Sequence, residues 1–125
     1  NRKTKSAQHA RTYERRRPLE MKVKRFNSRK ATDSRGKSTF QEATDKFKSD
    51  PKCYLTGEPI DLSKAEDYQL DHIVPFSKGG TNDISNMGLL RADINMCKSN
   101  KTVDQFIDMC VRVLRHNGYV IEEPK

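Results

Sequence analysis

The side chains in this sequence with the most chemical potential lie between positions 71 and 98. Asp71 and His72 are adjacent near the end of an apolar stretch, YQLDHIV over 68–74. Asn86 stands 14 residues after His72, Asn95 stands 23 after it, and Lys98 lies one helical turn beyond Asn95. These residue types suit phosphodiester hydrolysis. A neutral imidazole takes the proton from an attacking water near pH 7. A hard divalent cation stabilises charge that grows on the phosphate and on the leaving oxygen. Magnesium binds few protein oxygens and keeps several waters, so one carboxylate and one amide oxygen, from Asp71 and Asn95, are a sufficient protein share. Taken singly, each residue has a bland explanation: a loop Asn usually bonds its own backbone, and a helical Asn is often a surface residue. The combination carries the weight.

Such a cluster needs elements that bring it together. Residues 68–74 read as a strand ended by Pro75. Residues 76–86 read as a loop containing Gly79-Gly80, and 87–90 as a second strand. Strand alternation sends Asp71 and His72 to opposite faces unless the backbone bends. Asp93 is expected to cap a short helix through about Lys98, which puts Asn95 and Lys98 on one face, toward the strand end. Upstream, Cys53-Tyr54-Leu55 reads as a short strand turned by Thr56-Gly57. Ser38 and Gln41 form a capping-box pattern for a helix that carries Phe40, Ala43 and Phe47 and ends before Pro51. The clearest element is the last helix. Thr102 and Gln105 form a second capping box, and Val103, Phe106, Ile107, Cys110, Val111 and Leu114 follow the helical period, with Cys110 expected in the core. Asn117-Gly118 ends it. Residues 1–17 read as an Arg-rich helix or arm stopped by Pro18, residues 19–31 take no assignment, and 32–38 read as a flexible joint.

Charge is divided unevenly. Residues 1–50 hold 16 Lys and Arg against 6 Asp and Glu, a net of +10, whereas residues 51–125 come to −2. A basic half beside a near-neutral half points to a polyanion-binding arm on a compact domain, and phosphate backbones are the obvious polyanion. Arg15, Arg16, Arg17, Arg35, Lys37 and Lys78 are the candidate phosphate contacts outside the central cluster. The bland reading of the same charges is a solvated tail. Three cysteines without regular spacing, Cys53, Cys97 and Cys110, do not make a disulfide framework and fit a reducing, cytoplasmic setting. The sequence contains no apolar run of the roughly 18 residues that a membrane span needs, and no signal peptide. A core this polar suits a homodimer or a larger parent protein.

The stretch DHIVPFSKGGTNDISNMGLLRADINMCKSNK resembles the HNH endonuclease family, the ββα-metal fold. Members carry Asp-His at the end of the first strand, Asn before the second, and Asn or His on the helix. Here these are Asp71-His72, Asn86 and Asn95, an H-N-N variant similar to the nuclease domains of CRISPR effectors and many restriction enzymes. The resemblance implies an α+β fold: a ββα-metal core with flanking helices and a basic N-terminal arm. The nuclease domain would span 38–125, with its core motif at 53–102 and the C-terminal helix at 102–117, and residues 1–37 would be a basic arm or linker, helical or not. It also implies roles. His72 would be general base, Asp71 and Asn95 would hold one Mg²⁺ or Mn²⁺, Asn86 would pin the loop that orients His72, and Lys98 would touch a phosphate. The substrate would be DNA, cut to 5′-phosphate and 3′-hydroxyl ends, in a restriction, phage or CRISPR-linked setting. The alternative is a DNA-binding module with the same fold and no catalysis. Many members bind a structural zinc through two Cys-x-x-Cys pairs. Here Thr56 stands where the partner of Cys53 would be, so no structural zinc is expected.

Overall fold

The computed structural model describes residues 17–28 and 35–124. Arg15 and Arg16 therefore lie outside the described residues. The described part is a mixed α+β fold of four helices and one two-stranded antiparallel sheet. Helix α1 spans Pro18–Asn27 and α2 spans Phe40–Phe47. Strand β1 (Tyr68–His72) pairs with β2 (Met87–Arg91), α3 spans Ala92–Lys98, and α4 spans Val103–His116.

The hairpin register sets the site. Tyr68 faces Arg91, Asp71 faces Gly88 and His72 faces Met87. β1 ends at His72, two residues before the expected Val74, and one further bond, Ile73 N–H to Asn86 O at 3.0 Å, closes the ladder. β2 runs directly into α3, which folds back across both strands. This ββα unit is too small to hold a core alone. Leu89, Leu90, Met87 and Tyr68 are fully buried in it, and they share one core cluster with Leu19, Val23 and Phe26 of α1 and with Ala43 and Phe47 of α2.

Several local expectations shift. Residues 18–27 fall in the stretch expected as arm or linker, yet they form a helix built into the core. Pro18 opens this helix at its first position, where a missing N–H costs nothing, rather than stopping one. Its apolar side follows the helical period at Leu19, Val23 and Phe26, and the basic residues between them hide the pattern. Lys22, which is buried, lies with Nζ over the Tyr68 ring, 4.8 Å from its centroid, and donates to Gln69 at 3.3 Å. The cap of α2 is Thr39 with Glu42, one residue later than the expected Ser38 with Gln41. Ser38 is instead buried, and its hydroxyl donates to Asn82 O at 2.6 Å. Asp93 does not cap α3. The N-cap is Arg91, and the Asp93 carboxylate pairs with Arg91 and accepts from Ile94 N–H. Cys53–Leu55 is a tight turn rather than a strand. Gly57 N–H returns to Cys53 O and Cys53 N–H reaches Glu58 O, each at 2.8 Å. The α4 capping box forms as expected, but Phe106 is the one buried residue of this helix. Cys110 is half-buried rather than in the core, and Ile107, Val113 and Leu114 are exposed.

Because α1 closes the core, Phe26→Ala is expected to destabilise the fold by about 3–5 kcal/mol. Urea unfolding followed by circular dichroism reads this directly. A loss of well under about 1 kcal/mol would show that α1 is not part of the cooperative core.

Candidate active site

Asp71, His72 and Asn95 line one pocket of about 360 Å³ between β1 and α3, together with Gln69, Leu70, Met96, Ser99 and Asn100. Asp71 and His72, consecutive on the strand, turn to different partners. Asp71 is engaged by Tyr54, whose hydroxyl donates to Oδ2 at 2.8 Å, and by Lys98, whose Nζ lies 2.9 Å from the same oxygen. Both contacts fall on Oδ2, which leaves Oδ1 as the carboxylate oxygen for a cation. Burial, and then the bond to Asp71, raises the Tyr54 phenol above its ordinary range, so it stays a proton donor throughout neutral pH.

Tyr54 reaches Asp71 because of two local features. Its backbone N–H is pinned to β2 by a 2.9 Å bond to Leu89 O. Its ring crosses the strand at Gly88, where a Cβ would lie 2.5 Å from Tyr54 Cε1. Tyr54 carried no signal in the sequence beyond its neighbour Cys53, because the contact depends on a turn and a glycine 34 positions downstream.

His72 is packed on its ring faces. Phe26 of α1 stacks on it with 3.9 Å between centroids and 8° between planes, and Phe76 meets it edge-on at 5.9 Å. Its Nε2 lies 2.8 Å from Asn82 Oδ1. Asn82 is a second residue that sequence reasoning missed. It sits among small polar loop residues where nothing marks it out.

Asn86 is wholly occupied with the loop. Its Oδ1 accepts from Val74 N–H at 2.8 Å, and its Nδ2 donates to Val74 O at 3.1 Å and to Thr81 O at 2.9 Å. These bonds clamp both ends of the 75–85 connection. Gly80 lies in the crossing, where a Cβ would come within 1.8 Å of Val74 O, so no other residue fits. Asn95 is half-buried on α3, and its backbone carbonyl accepts from Ser99 N–H at the helix end.

The basic candidates separate. Lys98 is fully buried on Asp71, with His72 O at 3.5 Å, and is not the surface phosphate contact expected of it. Lys78 is exposed and donates to Asn100 O beside the pocket. Arg35 is half-buried. Its guanidinium lies over the Phe76 ring at 4.1 Å and donates to Phe76 O at 2.6 Å, so it supports the His72 wall. Lys37 is exposed, and Arg17 is exposed with Glu20 at 3.3 Å.

The donor set fits a hard cation. Among the described residues no three His, Cys, Asp or Glu side chains converge. A metal here would rest on the Asp71 carboxylate and the Asn95 amide and complete its shell with water and phosphate oxygen, as Mg²⁺ and Mn²⁺ do.

The Asp71–Lys98 pair makes a direct prediction. Lys98→Met leaves a buried carboxylate without its cation and should destabilise the metal-free protein by about 3–5 kcal/mol. The double variant Lys98→Met with Asp71→Asn should recover most of that loss in urea unfolding. Wild-type stability of the single variant would contradict the burial of the charge.

Residues 53–103 match a family model described as HNH endonuclease. Among curated proteins and among solved structures, none matches the chain. The matched segment contains both strands, the connection clamped by Asn86, and α3 with Asn95 and Lys98. Sequence pattern and ββα geometry thus agree, and residues 53–103 of this chain are similar to the HNH endonuclease family.

Proposed function

We propose that this protein is a metal-dependent endonuclease that hydrolyses DNA, with His72 as general base and Asp71 and Asn95 as the protein ligands of one Mg²⁺ or Mn²⁺. The observation that carries the reading is the meeting of these three side chains in one pocket of an HNH domain. A bound cation supplies charge stabilisation at the phosphate and at the leaving oxygen. The chain's own residues do the rest. His72 takes a proton from the attacking water, whose oxygen bonds to phosphorus. The P–O3′ bond breaks and the leaving 3′ oxygen takes a proton from solvent water, which leaves a 5′-phosphate and a 3′-hydroxyl. Tyr54 and Lys98 hold Asp71 in place by its Oδ2. The H-N-N pattern supports a place for this domain in a restriction, phage or CRISPR-linked enzyme. No helix among the described residues is long and apolar enough to cross a membrane.

Plasmid cleavage tests the reading. Wild type should cut with Mg²⁺ or Mn²⁺ and stop with EDTA. His72→Ala should lose about 10²–10⁴ in rate. Asn95→Ala should lose metal affinity as well, and Asn95→His should recover with Mn²⁺ or Co²⁺ better than with Mg²⁺, because imidazole favours softer ions. Binding to DNA without cleavage in any metal would establish the non-catalytic alternative.

Residues 1–16 carry six Lys and Arg against one Glu. We assign them to sequence-independent phosphate contact, with Arg15 and Arg16 next in sequence to Arg17 and α1. Deleting 1–16, which spares α1, should weaken DNA binding and flatten its dependence on salt. An unchanged salt slope would take the arm off the DNA.

A further inference from the structure

A neutral imidazole carries one proton and one lone pair, and only the nitrogen with the lone pair can accept a proton from water. Which nitrogen that is depends on what the other one bonds. His72 Nε2 faces the Asn82 carboxamide oxygen at 2.8 Å, and both residues are buried. We propose that Asn82 is a positioning residue for the reaction: its Oδ1 accepts the His72 Nε2–H, which keeps the lone pair on Nδ1. The proposal rests on the reading of His72 as general base.

The surroundings of Asn82 support a dedicated role. Its backbone is held on both sides, by Ser38 Oγ donating to Asn82 O at 2.6 Å and by Asn82 N–H donating to Arg35 O at 2.6 Å. Ser38 is held in turn by Asn27 at the end of α1, through bonds of 2.7 and 2.9 Å to its backbone. The same helix supplies Phe26, whose stacking on the ring opposes a flip that would exchange the two nitrogens. One continuous path therefore runs from α1 through 35–38 to Asn82 and then to His72. For histidines that bind metals, loss of the residue that fixes the tautomer costs about 10–100-fold, and that scale is taken for His72.

Long-range ¹H–¹⁵N spectra of the metal-free, ¹⁵N-labelled protein report the tautomer of His72 without any cleavage assay. The wild type should show the Nε2–H form. Asn82→Leu removes the acceptor at similar size. It should lose the preference for that form and lower kcat by about 10–100-fold, with KM for DNA and Mn²⁺ affinity unchanged. Asn82→Asp keeps an acceptor oxygen and should restore the Nε2–H signal, and thermal melts check that both variants fold. An Nδ1–H form in the wild type, or an Asn82→Leu variant with unaltered tautomer and kcat, overturns the proposal while leaving His72 as base. Full cleavage by His72→Ala would instead remove the general-base reading, and the catalytic part of this proposal with it.

Discussion

A carboxylate taken out of water needs a cation and hydrogen bonds, and much of this fold is arranged to give them to Asp71. Asp71 sits near the end of a five-residue strand, 9% exposed, with Lys98 and Tyr54 both on Oδ2. To deliver Lys98, α3 must follow β2 without an intervening loop and fold back over the hairpin, so that its last turn lies against the strand end. To deliver Tyr54, the turn after Cys53 must dock on the free edge of β2, and Gly88 must leave room for the ring. A buried ion pair adds little net stability over an apolar substitute. Its retention here is better understood as holding one carboxylate oxygen in place while the other stays available to a ligand.

His72, one residue away, is held by different means, from the 75–85 connection and from α1. Its walls are Phe26 and Phe76, and its hydrogen-bond partner is Asn82. Phe26 lies outside the 53–103 segment that matches the family. The matched segment thus contains Asp71, its partners Tyr54 and Lys98, and Asn95, whereas the packing of the histidine also draws on α1 and on the 35–38 segment. Stability and site geometry are coupled through α1, because the helix that closes the core also covers the imidazole.

The sequence showed part of this arrangement and hid part. Asp71, His72, Asn86 and Asn95 were legible as candidates because their types and offsets fit one motif in combination, and the fold gathers Asp71, His72 and Asn95 in one pocket while Asn86 holds the loop. The hairpin and α4 were legible because alternation, Gly-Gly and a Thr-x-x-Gln cap are local signals. Helix α1 was not, since Leu19, Val23 and Phe26 are interleaved with Lys and Arg and residues 19–31 take no assignment from pattern alone. Tyr54 and Asn82 were invisible because their roles come from contacts 17 and 10 residues away. Lys98 was visible as a basic residue beside the cluster, but its burial could not be seen without the helix packed on the strand. α4 shows the opposite failure: a strong apolar period that the described residues leave largely uncovered.

The proposed chemistry depends on Asp71 and Asn95 holding one cation together, and anomalous scattering from crystals of this protein grown or soaked with Mn²⁺ tests that directly. The account expects one strong manganese peak in the pocket, within bonding distance of the Asp71 carboxylate and the Asn95 amide oxygen. No peak at saturating Mn²⁺, or a peak bound by other side chains, would contradict it.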